Sequence, residues 1–267
     1  MKINKIAIIG GGNLGSAIAR GLVHTSSIEA SSVFVTRRRP QLLNLLSQLG
    51  ITTGSDNKEA VKGADIVFLA VKPYQVKDVI DEVISVLNSK AIIISLATGI
   101  ENQKLLEMSG GRHAVFRAMP NTAVAIGQSM TCISGANATK QQTEGVKELF
   151  ERLGSVELIP EELMAGATVL ASCGIAFALR FIRAATEGGV EIGFGSDMAL
   201  KIASQTVKGA AQLLIDGGSH PEVEIDKVTT PKGITIVGLN EMEHQGFSSS
   251  LIKGLMASFQ KIENGKK

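Results

Sequence analysis

The sequence predicts an α/β protein whose first half is a Rossmann-type parallel sheet flanked by helices and whose second half is all helical. Three observations predict it. Short apolar runs alternate with helix-spaced segments from Lys5 to Gly154, a glycine cluster follows the first of those runs, and the strand signal nearly vanishes after Pro160. Continuous apolar runs suit strands covered on both faces, and their alternation with amphipathic segments builds right-handed β-α-β crossovers.

The expected strands are Ile6 to Ile9, Val33 to Thr36, Ile66 to Val71, Ala91 to Leu96 and Ala114 to Met119. Between them, Ala17 to Val23, Gln41 to Leu49, Val76 to Leu87 and Asn102 to Met108 carry apolar residues at helical spacing. Thr131 to Ile133 and Val156 to Ile159 are expected as short strands around a helix from Lys140 to Leu153. Beyond Pro160, the segments Glu161 to Gly189, Ser196 to Asp216 and Thr235 to Ile262 read as helices, which gives domains 1–160 and 161–267. Ala165 to Ala185 is apolar nearly all round and calls for cover on every side, which packing against a second copy would provide.

Composition narrows the partners. With 44% hydrophobic and 19% charged residues in 267, the chain is long enough to bury a sizeable core in one or two domains. A formal net charge of +2 gives no reason to expect nucleic acid or an anionic membrane, so a small molecule is the expected partner. Two cysteines, Cys132 and Cys173, lack zinc-site or redox-pair spacing and fit a reducing cytoplasm. The lysines before the apolar run Ile6 to Ile9 resemble a signal peptide, but the run breaks at Gly10 and reads better as a buried strand. Arg180 and Arg183 interrupt the longest apolar segment, so no membrane span is expected.

The glycine cluster is Gly10-x-Gly12-x-x-Gly15, placed between an apolar strand and a helix. In that context Gly10 permits a tight turn, Gly12 lets backbone approach a pyrophosphate, and Gly15 lets helix pack close to strand. The phosphates would meet the amides and positive end of the helix, as in a Rossmann-type dinucleotide site. At the end of the second strand an NAD site usually places a carboxylate for the ribose hydroxyls, whereas this chain has Thr36-Arg37-Arg38-Arg39. A guanidinium grips a 2′-phosphate with paired donors, so NADP(H) is favoured, with NAD(H) at lower preference. Arg37 is the expected contact, and at least one of the three arginines is expected to be a solvated helix cap.

The sequence lacks GxxxxGK[ST], HExxH and GxSxG motifs, which removes P-loop phosphoryl transfer, zincin chemistry and the usual serine-hydrolase elbow. His24, His113, His220 and His244 are scattered without an obvious carboxylate partner, Glu161-Glu162 reads as helix N-terminal charge, and no metal site is expected. Hydride transfer without a strong protein acid is what remains.

Several blocks together resemble the pyrroline-5-carboxylate reductase family. They are Ile9-Gly10-Gly11-Gly12-Asn13-Leu14, Ala70-Val71-Lys72-Pro73, Arg117-Ala118-Met119-Pro120-Asn121-Thr122, Gln205 to Ala211, and His220-Pro221 through Val228-Thr229-Thr230-Pro231-Lys232-Gly233-Ile234-Thr235. Their order covers nearly the whole chain. The resemblance implies a Rossmann-type N-terminal domain, an all-helical C-terminal domain that dimerises, and reduction of 1-pyrroline-5-carboxylate to L-proline by NADPH, the last step of proline biosynthesis.

It further implies cofactor contacts from Ile9 to Leu14, Thr36, Arg37, Asn57, Ala70, Val71, Lys72, Pro73, Ala97, Thr98 and Gly99. The 70–73 and 97–99 segments follow predicted strand ends, where ligands of open parallel sheets bind. Substrate contacts would come from Thr230, Gly233, Ile234 and Thr235, with the Thr235 hydroxyl beside the ring nitrogen of the imine. Thr230 or Thr235 capping the following helix is the simpler alternative. Lys232 stands where the family usually has a glycine, which raises the question of strain at a positive φ. Likewise Ser172-Cys173-Gly174-Ile175-Ala176-Phe177 replaces a Gly-Ser-Gly-Pro-Ala-Tyr-like turn. Two rivals stay open: a reductase of another imine or a hydroxy acid, for which Lys201 or Lys208 would be suspected as acid/base, and a non-catalytic NADP(H) sensor.

Overall fold

The computed structural model describes residues 3–25 and 28–265. Contacts divide the chain into two compact units, Met1–Cys173 with Phe259–Lys267, and Gly174–Ser258. The division expected after Pro160 thus differs from the compact units by two stretches: the first turns of the helical run stay with the sheet, and so does the segment from Phe259. Met164, Ala165, Thr168 and Val169 are buried there, and the Asn121 side-chain amide donates to the Ala171 carbonyl at 3.2 Å.

The first unit holds an eight-stranded sheet in the order β3-β2-β1-β4-β5-β6-β7-β8. Its strands are β1 (Ile6–Ile9), β2 (Val33–Thr36), β3 (Thr52–Gly54), β4 (Ile66–Leu69), β5 (Ile92–Ser95), β6 (Ala114–Met119), β7 (Ser129–Ala136) and β8 (Gly154–Leu158). Helices α1 (Asn13–Thr25), α2 (Asn44–Gln48), α3 (Asn57–Val61), α4 (Val76–Val83), α5 (Asn102–Met108) and α6 (Lys140–Glu151) connect them. β1 to β6 are parallel, with Ile6 beside both Val33 and Ile66. β1, β2, β4 and β5 are buried at every residue, as their unbroken apolar sequences require, and one core forms on each face of the sheet. Phe68 and Phe150 meet edge-on at 5.9 Å in one of them.

The structure differs from the expected elements in definite places. β7 is longer than Thr131 to Ile133 and runs antiparallel to β6, pairing Met119 with Cys132. Only a short 3-10 turn, Thr122–Ile126, separates them, too little chain for a parallel crossover. β4 stops at Leu69 rather than Val71, because Pro73 opens a 3-10 turn. Strand β3 has only three residues, and helix α3 starts at Asn57, after the N-cap residue Asp56, whose carboxylate accepts from the Glu59 amide at 3.1 Å.

After β8 the chain forms a 3-10 turn Glu161–Leu163, α7 (Met164–Ala167), a π-helical turn Thr168–Cys173 and α8 (Gly174–Glu191). The remaining helices are α9 (Ser196–Gly217), α10 (Pro221–Lys227), α11 (Ile234–His244) and α12 (Phe247–Asn264). The helix expected over Thr235 to Ile262 is therefore two, broken at Gly246 with φ +78°. α10 starts on His220-Pro221, with proline at the first helical position and the His220 ring accepting from the Glu222 amide at 3.3 Å.

The helix expected to be covered on every side is open in the single chain: Leu170 is 71% exposed, Leu179 58% and Phe181 41%. Within Glu161–Glu191 an 18-residue window has a mean hydropathy of 1.7, so this run is long and apolar enough to cross a membrane by length and composition alone, despite Arg180 and Arg183.

Candidate active site

The strand order reverses between β1 and β4, and a cleft of about 1030 Å³ opens there at the carboxyl ends of the parallel strands. The glycine turn forms its floor. Gly10 and Gly11 amides donate to the Thr36 carbonyl at 3.1 and 2.7 Å, which turns the chain sharply out of β1. Gly10 has φ +108°, and a Cβ there would lie 2.4 Å from the Ala70 carbonyl oxygen. A Cβ on Gly15 would lie 2.2 Å from the Gly10 carbonyl, so the start of α1 sits against the turn. Gly12 is the contrast: it is exposed, and a Cβ there would meet nothing within 4 Å. Gly10 thus sits in the tight turn and Gly15 in the close helix contact, and Gly12 leaves open space beside the start of α1.

Beside this turn, Arg37 donates from Nη1 to the Gly11 carbonyl at 3.0 Å, and its backbone amide bonds the Gly54 carbonyl at 2.9 Å. Arg38 and Arg39 also line the cleft and are exposed. Thr36 donates its hydroxyl to Asn57 Oδ1 at 2.7 Å, and Asn57 Nδ2 donates to Glu82 at 2.9 Å. Across the cleft run Ala70, Val71, Lys72 and Pro73, and beyond them Leu96, Ala97 and Thr98.

Every expected cofactor residue from Ile9 to Leu14, with Thr36, Arg37, Asn57, Ala70 to Pro73, Ala97 and Thr98, lines this one cleft. Gly99 does not: it is exposed one residue past the cleft, at φ +83°. Sequence reasoning missed Leu42, Ser55, Tyr74 and the carboxylates Asp78 and Glu82, which also line it. The carboxylates come from α4, and their i, i+4 spacing on a helix with Val79 and Val83 buried was the available signal.

In the second unit, Thr230, Gly233, Ile234 and Thr235 form one turn into α11. The Gly233 amide donates to the Thr230 carbonyl at 2.8 Å, and a Cβ on Gly233 would lie 2.6 Å from Thr230 Oγ1. Gly233 is the N-cap residue and no side chain caps the helix, so neither threonine has the capping role. The turn thus presents first-turn amides with no side-chain acceptor, together with the exposed Thr235 hydroxyl. Lys232 adopts φ +60°, the left-handed conformation that the family's glycine would take without steric strain. Lys201 and Lys208 are both exposed on α9.

No histidine lines the cleft. His113 is 4% exposed with Nδ1 3.1 Å from the Ala91 carbonyl, His220 caps α10, and His244 lies 4.0 Å from Glu241, a carboxylate neighbour three residues back. Cys132 and Cys173 are free thiols, and no group of three metal-ligating side chains occurs among the described residues. Glu161 is more than helix-terminal charge: its carboxylate binds Arg117 at 2.9 Å and the Asn102 amide at 2.6 Å.

A parallel sheet with a glycine turn at a helix N-terminus and a basic cluster at the end of β2 is the arrangement of a dinucleotide-binding protein. Family models agree: one described as NADP oxidoreductase coenzyme F420-dependent matches residues 5–99, and one for pyrroline-5-carboxylate reductase dimerisation matches 161–264. Pyrroline-5-carboxylate reductase 2 of Dictyostelium discoideum is 40% identical over 98% of this chain and 93% of its own length. Pyrroline-5-carboxylate reductase 1 of the same organism is 41% identical over 97% of this chain, which spans about half (49%) of that longer protein. A crystal structure of Plasmodium falciparum pyrroline carboxylate reductase with NADP bound superposes with a TM-score of 0.90 at 26% identity, covering 98% of each chain. The chain belongs to the pyrroline-5-carboxylate reductase family.

Proposed function

We propose that the protein reduces 1-pyrroline-5-carboxylate to L-proline with NADPH, the last step of proline biosynthesis. The observation that carries the cofactor half is the cleft itself: fifteen of the sixteen expected contacts line it, with Gly12 open and Arg37 at its edge. Membership of the family supports the substrate half. Bound NADPH supplies hydride to the imine carbon of the substrate.

The chain's own residues hold and orient. Amides at the start of α1 receive the pyrophosphate, and Arg37, with Arg38 or Arg39, receives the 2′-phosphate, which gives NADPH preference over NADH. Thr36 and Asn57 take the adenine ribose. Ala97 and Thr98 are small enough to let a flat ring lie against backbone, with Gly99 following in the same turn. Thr230, Gly233 and Ile234 present backbone to the substrate carboxylate at the start of α11, and the Thr235 hydroxyl orients the ring nitrogen. An already protonated imine needs no further acid, which suits a cleft without histidine. The domain division after residue 160 separates the cofactor part from the part that carries this turn.

The exposed apolar residues of the run through α8 support a homodimer, or an assembly of dimers, through the helical part. Sedimentation showing only monomer at micromolar concentration would remove that assignment. Two free thiols fit a reducing cytoplasm. The deciding assay is NADPH oxidation with 1-pyrroline-5-carboxylate beside a panel of other imines and hydroxy-acid precursors. Faster turnover of another imine overturns the substrate, and no substrate-dependent oxidation overturns the enzyme. Proline-dependent reduction of NAD(P)+ at high pH separates the reductase from a sensor.

A further inference from the structure

Outside the cleft, one carboxylate joins three separate parts of the first unit. Glu161 Oε1 accepts from Arg117 Nη1 of β6 at 2.9 Å and from the backbone amide of Asn102 at 2.6 Å. Asn102 is the first residue of α5, whose N-cap residue Glu101 provides no side-chain cap. Glu161 therefore caps that helix from a distance of 59 residues in sequence. The Arg117 side chain is 4% exposed, and a guanidinium so buried has to be paired. Asn102 is 2% exposed and donates its side-chain amide to Ser134 on β7 at 3.1 Å. Arg117 and Ser134 are themselves partners in the β6–β7 ladder.

What this cluster fixes is the turn from Leu96 to Glu101. At its start the Ala97 amide bonds Ser95 Oγ at 3.3 Å, and Ser95 sits beside Arg117 in the β5–β6 register. At its end the Asn102 amide is held by Glu161. Between these two anchors lie Ala97 and Thr98, which line the cofactor cleft. Gly99, with φ +83° and nothing near its Cβ position, leaves the turn little stiffness of its own. The family models match residues 5–99 and 161–264, so Glu161 and the cleft-lining Ala97 and Thr98 belong to separately recognised parts of the chain.

We propose that Glu161 is a positioning residue for hydride transfer: paired with buried Arg117, it clamps the 96–102 turn and so sets where the nicotinamide ring lies. This rests on the cofactor assignment made above. Displacements of about 1 Å at a reacting centre cost on the order of 100-fold in rate, so a clamp at one end of the turn is felt in catalysis.

The test compares NADPH with 2′,5′-ADP, which carries the adenosine and 2′-phosphate but no nicotinamide. For Glu161→Ala, we expect 2′,5′-ADP affinity within about twofold of wild type, NADPH affinity reduced about tenfold, and turnover reduced on the order of 10- to 100-fold. Glu161→Gln keeps an acceptor for the Asn102 amide but leaves buried Arg117 without its counter-charge, and is expected to restore part of the loss. Asn102→Pro is the independent variant: it deletes the backbone donor to Glu161 together with the side-chain amide that donates to Ser134, at a helix position where proline is tolerated and after a residue already extended (φ −74°, ψ 155°), and Asn102→Ala, which loses the side chain alone, is its control and should keep wild-type NADPH affinity. It should reproduce the alanine pattern. Either variant that still binds 2′,5′-ADP decides the matter. Unchanged NADPH affinity and turnover, or equal losses for NADPH and 2′,5′-ADP, overturns the clamp. A wild-type protein that binds NADPH but reduces no pyrroline-5-carboxylate defeats the substrate assignment alone, because the affinity comparison is made without substrate.

Discussion

Arg37 Nη1 is anchored on the carbonyl of Gly11 at 3.0 Å, so the basic group at the end of β2 is tied to the turn that would receive the pyrophosphate. One residue thus braces the glycine turn and offers its remaining donors to the cleft. Charge-assisted hydrogen bonds of this kind are worth about 1.5–3 kcal/mol, roughly 10- to 100-fold in affinity. Arg37→Ala is expected to raise the KM for NADPH by that factor and to move the KM for NADH far less. Steady-state kinetics with both cofactors check it, and an unchanged KM for NADPH would remove Arg37 from the site.

The glycines separate fold from function. Gly15→Ala drives a Cβ to 2.2 Å from the Gly10 carbonyl, and overpacking against backbone costs about 1–3 kcal/mol. Gly12→Ala meets no protein atom, so stability should stay within about 0.5 kcal/mol while NADPH affinity falls. Urea unfolding and cofactor titration, run on both variants, would contradict this if Gly12→Ala bound NADPH normally.

Thr235 lies in the first turn of α11 without a capping bond to lose. Thr235→Ala should therefore lower turnover about tenfold or more while leaving NADPH affinity and unfolding unchanged. Turnover equal to wild type excludes the hydroxyl from the reaction.

Lys232 holds a left-handed conformation at φ +60°. That conformation costs a residue with a Cβ about 1–2 kcal/mol, against which glycine adds about 0.5–1 kcal/mol of backbone entropy loss. Lys232→Gly should raise stability by up to about 1 kcal/mol, read as a higher denaturant midpoint. A lower midpoint would mean that the lysine side chain contributes a contact outweighing its strain.

Cys132 is half-buried on β7, and burial, followed by the nearby Glu157 carboxylate, pushes its thiol above the ordinary value. The thiolate is the reactive form, so the onset of alkylation should shift to higher pH than for a free thiol. Rates measured from pH 7 to 10 on a Cys173→Ser variant test this. A rate at pH 8 equal to that of free cysteine contradicts it.

The parallel core and the cofactor cleft were legible because local pattern and tertiary demand coincide there. Ile6 to Ile9 must be apolar to be covered on both faces, and Gly10 and Gly15 have no space for a side chain. Asp78 and Glu82 were legible only as the polar face of α4, since the sequence does not show which rim that face overlooks. The reversal at β7 depends on a five-residue 3-10 turn closing between Asn121 and Gly127, a property of local geometry and not of apolar spacing. Glu161 escaped because its partners are 44 and 59 residues away, and a carboxylate at a helix start already has a sufficient local explanation.

The sheet described above has two open edges, and neither is a good template for another strand. β3 is three residues long and ends on Gly54, while β8 exposes Glu157 and runs into Pro160. Short edges, an outward charge and a proline are the features that keep folded chains from adding strand to strand into aggregates. Copies of this protein that meet in a crowded solution are thus steered away from fibrous stacking.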